Sequence, residues 1–267
     1  MRTVGGLWHR FYPNYNRKLF VSMVLANTAK GDCVLELGAG SGIPPQHFFP
    51  LKNYARLYVG IDLDPRVQTN PYLDVGAVAD AEELPFPDNY FDVVFSCMVA
   101  EHLKNPVRVL EECARVMKSG GHLLVETPSK WYYPMIISRV IPNRFHRHCM
   151  RWLGSKRKDE DVFPTFYRFN DERTIRKLMH DAGFSVEITH RSTPPGYLTF
   201  SRFSFMLGIL YERSVERLFP ELRASLLIVG CKDHLKSRDG KASSRLPMYR
   251  VGVRRPASGL PPPPWRT

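Results

Sequence analysis

Apolar positions along this chain follow two alternating rhythms. Short unbroken runs, CVLEL (33–37), RLYVGID (56–62), VGAVAD (75–80), FDVVFS (91–96) and GHLLVET (121–127), are too short for helices and predict buried strands. Between and before them lie stretches with helical spacing. Asn14 is a candidate cap for a helix over about 15–28, where Leu19, Phe20, Met23, Val24 and Leu25 recur on one side and Gly31 with Asp32 closes it. Residues 105–121 (NPVRVLEECARVMKSGG) predict a second helix. Pro106 lies in its first turn, Val107, Leu110, Cys113, Ala114 and Met117 on one face, and Gly120 and Gly121 at its stop. Strands alternating with helices in this way imply a mostly parallel sheet covered by helices on both faces.

The rhythm breaks after residue 127. Residues 128–170 form a long interruption rich in Tyr, Trp, Arg and His, after which Asp171 caps a helix (DERTIRKLMHDAG) that leads into a strand, FSVEITH. A second interruption covers about 191–223, and SLLIVGC is the last strand. This divides the chain into an N-terminal helical cap (1–30), a main domain (31–231) with insertions at about 128–170 and 191–223, and a basic, proline-rich tail (232–267) whose composition predicts disorder. Within the second insertion, YLTFSRFSFMLGILYE is apolar on most sides. Burial against the sheet is the default expectation, with a lid over a greasy acceptor or an interfacial helix as alternatives.

Composition adds limits. No apolar run approaches the roughly 20 residues that span a bilayer, and the first 20 residues lack a signal-peptide core, which predicts a cytoplasmic protein. The five cysteines (Cys33, Cys97, Cys113, Cys149, Cys231) are scattered and include no CxxC, so free thiols explain them better than disulfides. The HRH of FHRHCM, with Cys149, has no common zinc spacing; a substrate or surface role is the better reading, and no metal site is expected. The net charge of +12 is uneven: residues 31–127 carry seven basic and fourteen acidic side chains, so the basic excess lies elsewhere. Those basic parts suit an anionic acceptor or a membrane surface, although a solvated surface and tail would look the same.

The chemistry starts at residues 34–42, VLELGAGSG. A dinucleotide turn wants GxGxxG so that a pyrophosphate can lie at a helix N-terminus. Here Gly38, Gly40 and Gly42 are spaced one residue short, and Glu36 just before them would repel a pyrophosphate. A cofactor with positive charge and no phosphate fits instead, as S-adenosylmethionine does with its ammonium and sulfonium. Asp62 ends the second strand, 20 residues beyond Gly42, where a carboxylate can accept from both ribose hydroxyls; Asp64 competes for the role. Leu63 is placed for the adenine face and Asp80 for its amino group. The alternatives are a turn-capping Glu36 and an Asp80 that only starts the AEEL turn.

VLELGAGSG, GIDLDP, ADAEELPFPDNYFDVVFS, MVAEHLKNPVRVLEECARVMKSGGHLLVETP and HDAGF, in this order, resemble the class I S-adenosylmethionine-dependent methyltransferases, in particular the ubiquinone and menaquinone methyltransferase branch. The resemblance covers about 32–127 and 171–190. It implies a Rossmann-like seven-stranded sheet, mostly parallel, whose last strand runs antiparallel beside the fifth. It also implies a cofactor pocket lined by Glu36, Gly38, Ala39, Gly40, Gly42, Asp62, Leu63, Asp80 and Ala81, with Ser96, Cys97 and Met98 facing the methionine part. His102 borders the donor methyl in similar enzymes. It is a candidate general base, or a structural residue bonded to a backbone carbonyl. Trp131, Tyr132, Tyr133 and Tyr167 are candidates for an aromatic acceptor wall, or for packing of the insertion.

The expected activity is methyl transfer to oxygen or nitrogen of a small-molecule, glycan or lipid-linked acceptor, with peripheral membrane contact as one option and no nucleic-acid partner: after the fourth strand stands MVAEHL, not NPPY or DPPY. A cofactor-binding module without activity and a nicotinamide-dependent oxidoreductase are the rival classes.

Overall fold

The computed structural model describes residues 7, 10–12, 19–42, 50–52, 54–140 and 164–233. Seven strands form one sheet: β1 (Cys33–Leu37), β2 (Leu57–Asp62), β3 (Val75–Val78), β4 (Phe91–Cys97), β5 (Met117–Pro128), β6 (Phe184–Arg191) and β7 (Ser225–Lys232). Their order is β3-β2-β1-β4-β5-β7-β6, parallel throughout except β7, which pairs antiparallel with β5 and β6. This is the predicted Rossmann-like sheet, including its inserted last strand. β1 is buried along its whole length, as expected of a central parallel strand covered on both faces.

The period of two along β1 decides what each face meets. Leu35 and Leu37 join a core with Leu110, Val116, Ile175 and Met179, supplied by α2 (Pro106–Val116) and α4 (Glu172–Asp181). Val34 joins the opposite core with Phe20 and Val24 of α1 (Leu19–Ala26), Tyr58 and Phe95. Glu36 therefore points to the Tyr58 side. Asp171 caps α4 as predicted, accepting from the Thr174 N–H at 3.0 Å.

Three local expectations need correction. The first helix ends at Ala26, where Asn27 Nδ2 and Thr28 Oγ1 donate back to the carbonyls of Met23 and Val24; its candidate cap, Asn14, lies outside the described residues. The buried face of α2 is Val109, Leu110, Cys113 and Val116, which leaves Val107 exposed. That helix stops at Val116, before the glycines, because Met117 already pairs with Phe91 as the first residue of β5.

Arg115, at the end of α2, ties the loop after β3 to this helix. It donates to Glu112 (2.7 and 3.0 Å), to Asp88 (2.8 Å) and to the carbonyls of Phe86 and Leu84. Glu112, itself buried, also accepts from the Leu84 N–H at 2.8 Å. Removing the cation would leave a buried carboxylate short of partners. Arg115→Met should lower unfolding free energy by about 2 kcal/mol, discounted because Arg115 is one-third exposed. Urea denaturation checks this; an unchanged midpoint refutes it.

The insertions leave the sheet at the carboxyl ends of β5 and β6. The first contains α3 (Tyr133–Val140), and the second α5 (Arg202–Leu218), capped by Ser201 and Ser204 in a reciprocal box. Against the default expectation, α5 is not buried in the sheet. Its inner residues, Phe205 and Ile209, pack on Leu7, Phe11 and Tyr12, while Phe203, Met206, Leu207 and Leu210 stay exposed. The FHRHCM stretch and the tail from 234 onward lie outside the described residues, as do most of residues 1–18.

Candidate functional site

At the carboxyl end of β1 the chain must turn sharply between two neighbouring strands. The N–H groups of Gly38 and Ala39 donate to the Ile61 carbonyl of β2 at 2.8 and 3.0 Å. Gly38 has φ +73°, and a Cβ there would lie 2.3 Å from Val99 Cγ2, so only glycine lets the segment after β4 close over the turn. The Gly40 N–H reaches across to Asp62 Oδ2 at 2.8 Å, and the Asp64 N–H donates to Asp62 Oδ1 at 2.9 Å. Each carboxylate oxygen of Asp62 keeps acceptor capacity beyond these bonds.

Glu36 lies beneath the turn, 6% exposed, and accepts a short hydrogen bond from the Tyr58 hydroxyl. Burial pushes its pKa up to about 8; the Tyr58 bond opposes the rise and the charge of Asp62 adds to it. Before a ligand binds, this group therefore holds a proton at neutral pH, where the sequence alone suggested a standing negative charge.

The segment after β4 closes the other side. Met98 has φ +58°, a conformation that costs a side-chain-bearing residue, and is held there by its N–H donating to the Glu126 carbonyl at 2.8 Å. Cys97 has its sulfur 3.8 Å from Glu126, and burial raises the thiol pKa well above its ordinary value. Glu126 pairs with Arg191 at 2.9 Å. His102 sits in a 3-10 turn with Nδ1 2.8 Å from the Pro164 carbonyl. A carbonyl can only accept, so Nδ1 carries the proton and Nε2 is the basic nitrogen.

Glu36, Gly38, Ala39, Gly40, Gly42, Asp62, Leu63, Asp80, Ala81, Cys97, Met98 and His102 all line one cavity of about 610 Å³, a volume typical of small-molecule sites. Leu63 is 66% exposed, an apolar side chain left facing this opening. Asp80 uses Oδ1 to accept from the Glu82 N–H at 2.9 Å, and is otherwise exposed.

Trp131, Tyr132, Tyr133 and Tyr167 do not line the cavity, which corrects the expected aromatic wall. Tyr132, Tyr133 and Tyr211 pack edge to face, and the Tyr132 hydroxyl donates to buried Glu212 at 3.0 Å; they bind the two insertions to each other. Among the described residues, Phe169 is the insertion aromatic that reaches the cavity. Sequence reasoning also missed Asn70, which clamps the turn by donating to the carbonyls of Ala39 and Gly40, and Tyr58 as the partner of Glu36. Neither carries a local signal. Asn70 precedes a proline and looks like any turn residue, and Tyr58 looks like any strand aromatic.

An open α/β sheet with an acid-tipped cavity at its carboxyl edge is the architecture of a nucleoside-cofactor enzyme. Residues 35–125 match the model of the methyltransferase domain family. The ubiquinone/menaquinone biosynthesis C-methyltransferase of Burkholderia mallei is 29% identical over 211 residues, covering 69% of this chain and 85% of that protein. The fold is shared with the methyltransferase solved in complex with the Haloferax volcanii Trm112 activator (TM-score 0.54, 22% identity, 86% of this chain and 93% of that one). An Archaeoglobus fulgidus S-adenosylmethionine-dependent methyltransferase also shares it (TM-score 0.51, 18% identity, 85% and 98%). This chain is a class I S-adenosylmethionine-dependent methyltransferase, and S-adenosylmethionine is its cofactor.

Proposed function

We propose that the chain methylates an oxygen or nitrogen of a small-molecule, glycan or lipid-linked acceptor, and that the residues around the cavity divide the work as follows. Asp62 accepts from the ribose hydroxyls, Leu63 covers the adenine, and Asp80 accepts from its amino group. Glu36, with the turn from Gly38 to Gly42, meets the methionine end together with Cys97 and Met98. The observation that carries this reading is the convergence of these side chains on one cavity that His102 also lines. The chemistry of the donor set fits a cationic nucleoside: three carboxyl side chains, Glu36, Asp62 and Asp80, and an exposed leucine line the cavity.

The cofactor supplies an already electrophilic methyl group. The protein therefore has to hold the acceptor in line and exclude competing water, and positioning of that kind can contribute on the order of 7–11 kcal/mol. His102 has its ring oriented by the Pro164 carbonyl and presents Nε2 as the base for an acceptor proton. The insertions at about 128–170 and 191–223, with residues 8–15, are assigned as the acceptor cover; of these, residues 8, 9, 13–15 and 141–163 lie outside the described residues. A second reading, transfer to carbon, is favoured by the likeness to the Burkholderia C-methyltransferase. Removing a phenolic proton would activate the oxygen and its neighbouring ring carbons alike, so the same base serves both.

Cell extract incubated with enzyme and deuteromethyl donor should yield a metabolite heavier by one labelled methyl, detected by mass spectrometry. On that acceptor His102→Ala should lower kcat by about a hundredfold with little change in cofactor affinity. No labelled product from soluble or lipid fractions would remove the proposal, and an unchanged kcat would remove His102 from it.

A further inference from the structure

The outer face of α5 has no partner within the described protein. Phe203, Met206, Leu207 and Leu210 follow one another at i, i+3, i+4 and i+7, and they are 74, 42, 49 and 65% exposed. Leu218, Phe219 and Phe200 extend this exposure at the two ends of the helix. Singly exposed apolar residues are ordinary, but a continuous row along two turns marks an interaction surface. The helix is nevertheless well anchored on its other side, where Phe205 and Ile209 pack on the N-terminal segment and Arg213 donates to the Phe11 carbonyl at 3.2 Å. The row is thus held outward by a built scaffold.

Charge decides among occupants. The cations of this helix, Arg202, Arg213 and Arg217, are exposed and sit at the sides and end of the apolar row. Of its two acids, Glu212 is buried under Tyr132, and exposed Glu216 pairs with Arg213 at 3.7 Å. An apolar stripe flanked by three arginines, with one exposed carboxylate offset by Arg213, matches a bilayer with anionic headgroups. Position supports the same occupant. Ser225 pairs with both Pro128 and Arg191, so both insertions emerge at one end of the sheet, the end where Cys97 and Met98 meet the cavity. The first insertion adds exposed Ile136 and Ile137 on α3, which the Tyr133–Tyr211 ring contact holds beside α5.

We infer that α5 docks this protein peripherally on an anionic lipid surface, with the exposed row in the headgroup and acyl boundary and the cofactor cavity close to the membrane. This deepens the proposed function by giving its acceptor a place, a lipid or a molecule dissolved in the bilayer, and in that respect it rests on that reading. The docking itself needs neither cofactor nor acceptor, so the two can fail separately.

The test is co-sedimentation of the full chain with vesicles of phosphatidylcholine alone or mixed with phosphatidylglycerol, at low and high salt. The parent should sediment with the anionic vesicles and less so at high salt. Leu210→Glu and Phe203→Ser should each weaken vesicle binding by about tenfold or more, and Arg217→Glu should reduce the preference for anionic lipid. All three variants should keep the parent's affinity for S-adenosylhomocysteine, which shows that they fold. The inference is overturned if the parent stays in the supernatant, or if Leu210→Glu and Phe203→Ser bind vesicles as the parent does. It is equally overturned if the parent is a dimer that Leu210→Glu splits without loss of vesicle binding, since the row would then belong to a second copy.

Discussion

Asp62→Ala will bind S-adenosylhomocysteine at least about a hundredfold more weakly than the parent. The carboxylate stands at the tip of β2 with one backbone N–H on each oxygen, from Gly40 and Asp64, and so is fixed in place before any ligand arrives. Two ribose hydroxyls donating to it are charge-assisted hydrogen bonds worth roughly 1.5–3 kcal/mol each, which at the low end already amounts to about a hundredfold. The alanine variant also releases the Gly40 and Asp64 N–H groups, so a melting temperature and a circular dichroism spectrum are needed beside the titration. Asp64→Ala is the informative control. It removes the other candidate acid, whose bonds run to Arg66 on the outside, and should leave affinity within a few-fold of the parent. Equal affinities of Asp62→Ala and parent, by calorimetry, would remove the ribose role.

Cofactor binding should also release a proton. Before a ligand binds, Glu36 has its pKa raised to about 8 by burial, whereas the ammonium of the ligand's methionine end demands the carboxylate. Below pH 8 binding must therefore expel one proton, and affinity should rise by up to about tenfold per pH unit towards pH 8, then level off. Titration at pH 7 in buffers of different ionisation heat measures that proton directly. Glu36→Gln should bind more weakly, with a flat pH profile over this range and no Glu36 proton released.

The same group makes a stability prediction of definite sign. Its folded pKa lies above the unfolded value of about 4.5, so its stabilisation is complete below that value and lost as pH rises through 8. At pH 9 without ligand, Glu36→Gln should be more stable than the parent, by up to about 4 kcal/mol. A parent whose unfolding free energy is the same at pH 6 and pH 9 would sink this account of Glu36.

Much of this protein was decided by short stretches of its own sequence. Strands β1 to β4, the helix capped by Asp171 and the glycine turn with acids at the strand tips each follow from periodicity and turn chemistry, which act between residues a few positions apart. The tertiary structure alone decided the rest. Tyr58 meets Glu36 across 22 residues and sits with it under a closed turn, which turns an assumed charge into a proton store. Pro164 meets His102 across 62 residues and selects its tautomer. Val107 faces outward although it shares the helical spacing, because the position of the sheet chooses which stripe of α2 is covered. Likewise α5 shows apolar side chains all round, and only its packing on Leu7, Phe11 and Tyr12 determines which of them remain outside. Local rules set the kind and extent of an element; which face it buries and which distant side chain it meets depend on the order in which strands and helices pack.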